Sequence, residues 1–150
     1  MTDLPTTARF RLPLLAAAQA QKEITHNEAL TLLDALVQPV IEAGPQDDPP
    51  SAPTAGHGWL VGGAPTGDWT EAAGMIAVYT AGGWRFVEPR AGMRLLRLSD
   101  GGWLRFDGSG WRGPEAVASP LGGAIVDSEA RAAIDALILH LSAHGLLIAG

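Results

Sequence analysis

Two stretches, AGGWRF (Ala81–Phe86) and DGGWLRF (Asp100–Phe106), repeat a glycine pair, a tryptophan and an aromatic ending within a short distance. Each begins with residues that tolerate positive φ angles, as a tight β-hairpin requires. The tryptophan then opens the returning strand. Trp84 shares its face of the strand with a phenylalanine, whereas Trp103 shares its face with Arg105. The pattern therefore predicts repeated turn chemistry rather than a strict structural repeat.

The surrounding sequence predicts an α+β fold with four segments. Short apolar runs bounded by Gly, Asp or Pro predict an antiparallel β-meander at residues 58–113. The proline-rich residues 43–57 precede it and are predicted to be a linker or surface loop. Residues 1–42 are predicted to hold an N-terminal arm and a capped helix. Residues 114–150 are predicted to hold a loop and a C-terminal helix.

The first helix is predicted from a capping box. Thr25 and Glu28 stand in the S/T-x-x-E relation, in which the two side chains satisfy each other's backbone amides. Apolar residues then recur at helical spacing up to Pro39, which should end the helix. The arm before it, Met1–Ile24, is expected to be extended or irregular.

The second helix is predicted within IVDSEARAAIDALILHLSAHG, capped by Asp127 or Ser128 and stopped by Gly145. Its apolar residues follow an a/d-type spacing, but only about two heptads are present, too few for a free-standing coiled coil. We expect this seam to pack on its own sheet or on copies in a homo-oligomer, with a trimer favoured. The seam consists of Ala130, Ile134, Leu137 and Leu141, and Ile138 widens it.

Composition excludes several classes of protein. The 150 residues are 47% apolar and 17% charged, which indicates an ordered globular chain. The net charge is −6 and no basic stripe is visible, so nucleic acid is not an expected partner. There is no cysteine, no secretory signal and no apolar run long enough to span a bilayer. We therefore expect synthesis in the cytoplasm and no membrane span.

No motif predicts an enzyme. His140 and His144 are four residues apart on the last helix, but no acidic residue at a suitable offset completes a metal site. Nucleophile elbows, phosphate-binding glycine loops and paired carboxylates in distinct environments are also absent from the sequence. We predict no catalytic residue, no metal and no cofactor.

The five tryptophans leave two interpretations open. They could fill the core of a sheet that has few other large residues, which we expect for most of them. Alternatively, exposed indole rings could stack on sugar rings. Trp69 and Trp111, which are flanked by polar and turn residues, are the predicted ligand-stacking positions in that case.

Three stretches together fall within residues 12–111: LLAAAQAQKEITHNEALTLLDALV, PTAGHGWLVGGAPTGDW and AGMIAVYTAGGWRFVEPRAGMRLLRLSDGGWLRFDGSGW. They resemble an uncharacterised domain family of alphaproteobacterial phages, prophages and gene transfer agents. The sequence DSEARAAIDALILHLSAHGLL is similar to the closing helix of several phage tail-fibre and spike proteins. Members of the family that it resembles are found in, or encoded beside, virion appendages, namely tail fibres and head spikes that mediate attachment to the cell envelope.

The resemblance implies a non-enzymatic virion component, located in a phage or gene-transfer-agent particle. Its implied partners are other structural proteins of the capsid, baseplate or fibre, together with identical copies. The predicted contacts are Phe10, Leu12 and Leu14 on the arm and Ile134, Leu137 and Leu141 on the last helix. The alternative function is a carbohydrate-binding module that recognises host capsular or envelope polysaccharide.

Overall fold

The computed structural model describes residues 5–15, 22–123 and 127–150. The chain divides into two compact units, one up to Pro89 and one from Arg90 onward. Each unit combines one α-helix with a sheet rich in antiparallel pairs, so the predicted α+β fold is confirmed. The strands predicted as one meander at residues 58–113 belong to two different sheets.

The first unit holds one helix and a four-stranded sheet of order β2-β3-β4-β5. The β2–β3 pair is parallel, and the other two pairs are antiparallel. A short 3₁₀ helix at Gly67–Trp69 lies between β3 and β4. The elements are α1 (Lys22–Leu36), β1 (Val40–Ile41), β2 (Ala43–Gln46), β3 (Gly58–Val61), β4 (Ile76–Thr80) and β5 (Gly83–Val87).

Strand β2 corrects the prediction for residues 43–57, which were expected to be loop throughout. Gly44 makes the pairing with β3 feasible, because a Cβ atom there would collide with the Leu60 backbone. Its φ of 126° also favours glycine. Sequence composition indicated only that this segment is rich in turn-forming residues.

The capping box predicted at Thr25 is wrong. Helix α1 already includes Lys22, so Thr25 lies inside the helix and cannot be its N-cap. Glu28 instead pairs with Arg85 of β5, with a distance of 3.3 Å between Nη2 and Oε1. The predicted end near Pro39 is confirmed, since the helix stops at Leu36.

Three tryptophans form the core of the first unit. Trp84 of β5 makes edge-on contacts with Trp59, at 5.6 Å between ring centroids, and with Trp69, at 5.2 Å. Tyr79 contacts the same ring at 4.9 Å. The interpretation of most tryptophans as core residues is therefore confirmed for these three.

The described part of the arm, residues 5–15, folds back onto α1 of the same unit. The carboxylate of Asp34 is buried and accepts hydrogen bonds from the Thr7 hydroxyl and from the amides of Arg9 and Phe10, at 2.7, 2.8 and 2.7 Å. The Arg9 guanidinium donates to carbonyls at the end of α1, including those of Asp34 at 2.8 Å and Gln38 at 3.0 Å. A cation is favourable at that negative end of the helix dipole.

In the second unit, three strands pair antiparallel in the order β6-β7-β8, and two further short strands pair in parallel. One helix precedes the last strand. The elements are β6 (Arg94–Arg97), β7 (Gly102–Phe106), β8 (Trp111–Arg112), β9 (Ala116–Val117), α2 (Ser128–Ala143) and β10 (Ile148–Ala149).

Both predicted ends of α2 are confirmed. Asp127 is the N-cap, and its side chain accepts from the Ala130 amide at 2.8 Å. Gly145 follows the helix with a φ of 67°, which glycine adopts readily. A Cβ atom at Gly145 would collide with the Gly101 carbonyl, and the Trp103 amide donates to the Gly145 carbonyl at 3.1 Å. The end of α2 is thus fastened to the β6–β7 hairpin.

Candidate functional site: an arginine row on the second sheet

Three arginines lie side by side across the second sheet. The strand register places Arg94 of β6 opposite Arg105 of β7, and Arg105 opposite Arg112 of β8. All three side chains are exposed. Directly opposite residues in antiparallel strands have Cβ atoms about 4.5–5.5 Å apart, so like charges there destabilise the sheet. We call Arg94, Arg105 and Arg112 the arginine row.

Arg97 and Arg112 each have a dedicated carboxylate. Arg97 forms a two-point ion pair with Asp100, with nitrogen–oxygen distances of 3.0 and 2.6 Å. The Arg97 guanidinium, helped by the Gly102 amide, lowers the pKa of Asp100 to about 2. Alternation along β6 places Arg97 on the face of the sheet opposite to Arg94.

Arg112, at one end of the arginine row, is oriented by the DGSG turn. Its Nε donates to Oδ2 of Asp107 at 2.7 Å, and this contact holds the pKa of the Asp107 carboxyl far below its usual range. The other oxygen, Oδ1, accepts from the amides of Ser109 and Gly110 at 2.8 and 2.9 Å. One carboxylate therefore shapes the turn and fixes the arginine.

Arg94 and Arg105 differ from these two. Within residues 5–15, 22–123 and 127–150, no carboxylate forms an ion pair with either guanidinium. Each guanidinium presents a planar fork of donors that matches a carboxylate, sulfate or phosphate group. The row therefore offers the guanidinium groups of Arg94 and Arg105, which have no carboxylate partner among the described residues, and that of Arg112, which Asp107 orients.

Trp103 lies beside the row on the same face of β7, two residues before Arg105, and is 42% exposed. Together they line a cleft of about 460 Å³ in the second unit. Pro114 and Leu146 line the cleft as well and give it apolar surface. Its lining thus combines cationic forks with an accessible indole ring.

The tryptophans predicted to stack on a ligand lie elsewhere. The expected exposure of Trp69 is wrong, because its side chain is 0% exposed within the aromatic core of the first unit. Trp111 is half-buried and contacts the Phe106 ring at 5.4 Å between centroids. The indole offered to a ligand in the second unit is that of Trp103, which sequence reasoning did not select.

The predicted contact residues are partly accessible. Phe10 is exposed at the tip of the arm, whereas Leu12 and Leu14 are half-buried. On α2, Ile134, Leu137 and Leu141 are exposed, while Ile138 is buried. His140 and His144 are also exposed, and the structure brings no group of three potential metal ligands together in the ranges that it describes.

One signal in the sequence could have revealed the arginine row. The turn between β6 and β7 fixes the register of the flanking strands, because each residue before the turn faces one after it. The turn comprises four residues, Leu98–Gly101, so Arg97 faces Gly102, and counting outward from that pair aligns Arg94 with Arg105. Placing Arg112 required the DGSG turn as well, whose geometry depends on Asp107.

Removing one charge from the row is expected to stabilise the isolated protein. The Arg105→Gln variant should raise the free energy of unfolding by about 0.5 kcal/mol at low salt, because it relieves the repulsion with Arg94, whereas Asp107 already offsets the charge of Arg112 on the other side. Urea unfolding at low and high salt measures this, and the gain should shrink as salt screens the charges. Arg97→Gln is the matched control and should be destabilising, since it leaves Asp100 without its partner. A loss of stability in Arg105→Gln at low salt would contradict the repulsion.

The two units define a small α+β protein with a cationic, tryptophan-bearing surface on its second sheet. A model of a family of proteins of unknown function, DUF2793, matches residues 26–112. This is more than half of the chain, and the protein belongs to the DUF2793 family. No curated protein matches the sequence. Neither helix, over the part of the chain that is described, is long and apolar enough to cross a membrane.

Proposed function

We propose that the protein is a non-enzymatic structural subunit of a phage or gene-transfer-agent particle, in a tail fibre or head spike, and that it assembles as a homo-oligomer. Two features support this proposal: the sequence resemblance to appendage proteins and the surface of α2. The observation that carries it is that α2 exposes leucines on two sides. Such a surface is typical of a protein that is covered by a partner.

The exposed leucines of α2 lie on two sides of the helix. Leu137 is 60% exposed and Leu139 is 66% exposed. Two residues correspond to about 200° of rotation in an α-helix, so these side chains point to nearly opposite sides. A helix that is apolar on several sides is usually buried.

A second copy of this chain is the partner that fits this surface. Residues 136–150 contain no Asp, Glu, Lys or Arg, so apart from His140 and His144 a charged partner would find no ion-pairing side chain there. The seam of Ile134, Leu137 and Leu141 follows the a/d spacing, which allows the same seam on a neighbouring copy to interlock with it. Burying it between copies would remove apolar side chains from water.

The Leu137→Glu variant is expected to convert the oligomer into a monomer, because the seam would then carry a charge. Size-exclusion chromatography with multi-angle light scattering measures the mass of each species. Leu121→Glu is the control, since Leu121 is 90% exposed but lies outside α2. A wild-type chain that stays monomeric at high concentration would count against assembly through α2.

The location in a particle needs a separate experiment. A tagged copy expressed in the producing bacterium should sediment with nuclease-resistant particles in a density gradient. It should also be visible by immunogold labelling on the particle's appendages. A chain that remains entirely in the soluble fraction while particles form would argue against the virion role, whatever its oligomeric state.

A second candidate function is polysaccharide binding, which would let such a subunit attach to the cell envelope. Exposed Trp103 in the cleft of the second unit is the observation that favours it. Aromatic rings pack well against the apolar faces of sugars. Envelope polysaccharide should quench the tryptophan fluorescence, and the Trp103→Ala variant should lose the response. Trp111→Ala is the comparison at the position that the sequence suggested.

A further inference from the structure

We propose that the arginine row and Trp103 form a binding site for an acidic polysaccharide, with the anionic groups on the arginines and a sugar ring on the indole. This inference rests on the second candidate function, polysaccharide binding, and narrows its ligand to glycans that carry repeated negative charges.

The arginine row lowers the stability of the sheet through charge repulsion, and this favours a role in ligand binding. The unpaired charges of Arg94 and Arg105 face each other across neighbouring strands and oppose sheet formation, and shorter polar residues would avoid this contact. The same unit neutralises Arg97 with Asp100, so this sheet does use carboxylates to pair arginines. Arg94 and Arg105 lack such a carboxylate among the described residues. An anion from outside would remove the repulsion.

The spacing of the row favours a polymer over a single small anion. Neighbouring strands lie about 4.8 Å apart, so three opposed arginines span about 10 Å from first to last. One carboxylate or phosphate can bridge two adjacent guanidinium groups but cannot reach all three. A chain with anionic groups at regular intervals can engage the whole row.

The uncharged residues that line the cleft favour a sugar polymer as the anionic ligand. Trp103 supplies an accessible ring, and Pro114 and Leu146 supply apolar surface in the same cleft. Nucleic acid would also offer repeated phosphates, but binding it depends on a broad basic surface that neutralises many of them. The row supplies three arginines, and Asp107 already pairs with one of them, so a ligand that also uses the indole and the apolar walls of the cleft fits better.

Binding of oligogalacturonate and of a heparin-derived oligosaccharide to the full chain tests the proposal by isothermal titration calorimetry. Carboxyl-reduced oligogalacturonate is the matched neutral ligand. We expect binding of at least one acidic oligosaccharide and at least tenfold weaker binding of the neutral one. The affinity should fall as salt is raised.

Arginine variants that remain folded test whether the arginine row itself binds the ligand. Arg94→Gln and Arg105→Gln should each weaken binding about tenfold to a hundredfold, as expected for loss of a charged hydrogen bond, while leaving the protein folded. Arg105→Lys keeps the charge but lacks the planar fork and should be intermediate. Arg97→Gln, on the opposite face of the same sheet, should bind normally.

Each outcome decides between the proposals. If the neutral glycan binds tightly and still does so in Arg105→Gln, the proposal of an acidic ligand is overturned, whereas polysaccharide binding as such is retained. Failure of every oligosaccharide to bind would overturn both. Preferential binding of single-stranded DNA through the same arginines would overturn the choice of ligand in favour of nucleic acid. Loss of binding in Arg97→Gln, with the fold intact by circular dichroism, would overturn the location.

Discussion

Trp69→Ala is expected to lower the free energy of unfolding of the first unit by about 3–5 kcal/mol, the usual cost of truncating a buried large aromatic residue. The side chain is 0% exposed and packs edge-on against Trp84, at 5.2 Å between ring centroids. Truncation leaves a cavity at the centre of the aromatic cluster, and the contacts with the neighbouring rings are lost. Urea unfolding followed by near-ultraviolet circular dichroism measures the loss.

Trp69→Phe should cost considerably less than Trp69→Ala. The Nε1 atom of Trp69 is buried and finds no acceptor among the described residues, so losing that N–H removes an unsatisfied donor. Trp103→Ala is the matched control at an exposed tryptophan and should change stability by less than about 1 kcal/mol. A larger loss in Trp103→Ala than in Trp69→Ala would contradict the assignment of core and surface.

Asp34→Ala is expected to destabilise the first unit by about 3–5 kcal/mol and to release residues 5–15 from α1. The buried carboxylate accepts three hydrogen bonds from the arm, and its removal leaves two amides and one hydroxyl without their acceptor. Hydrogen bonds to charged groups contribute about 1.5–3 kcal/mol each, and such sums are only partly additive. Hydrogen exchange of the Arg9 and Phe10 amides should accelerate most.

Two controls isolate the role of Asp34. Asp68→Ala removes an exposed carboxylate of the same unit and should have little effect. Asp34→Asn keeps the shape but turns one acceptor into a donor, so it should be intermediate. Unchanged exchange of the arm amides in Asp34→Ala would show that the carboxylate does not hold the arm.

The hydrogen bonds between Asp34 and the arm limit which residues of the arm could contact a partner. Residues 5–15 are tied to their own helix, so Leu12 and Leu14 are half-buried rather than displayed. Phe10 is 44% exposed at the tip and remains accessible. A partner that binds residues 5–15 would therefore contact the exposed turn at Phe10 rather than an extended segment.

Local patterns predicted the elements whose determinants are close in sequence. The glycine turns, the Asp127 cap and the stop at Gly145 each depend on a few adjacent residues, and all were found as expected. Alternation along the strands correctly separated Trp103 and Arg105 from Leu104. These signals operate within one turn or one hairpin.

The wrong predictions concern residues whose partners are distant in sequence. Glu28 fits a capping box locally, but its carboxylate pairs with Arg85, 57 residues later. Trp69 has polar neighbours in sequence, yet Trp84 and Trp59 enclose it through pairing of β3, β4 and β5. Gly44 lies in a proline-rich segment, and only its proximity to Leu60 explains a strand there.

The candidate site was missed for a related reason. Arginine is the commonest basic residue of this chain, and no single arginine stands out in the sequence. Their significance comes from the strand register, which places Arg94, Arg105 and Arg112 side by side although neighbours in the row are 11 and 7 positions apart in the chain. The exposure of Trp103 likewise depends on the fold, because β7 buries Leu104 on one face and leaves Trp103 on the other.

The junction at Gly145 bears on how subunits would come together. Its carbonyl is committed to the Trp103 amide, and β10 returns to pair with β9 in the same unit. Exchanging α2 between chains would break both connections and re-form the same ones with a partner, which gains no contact and costs the entropy of association, so a domain-swapped oligomer is disfavoured. Each chain should first complete its own fold in a unimolecular step, and only the later association should speed up with protein concentration.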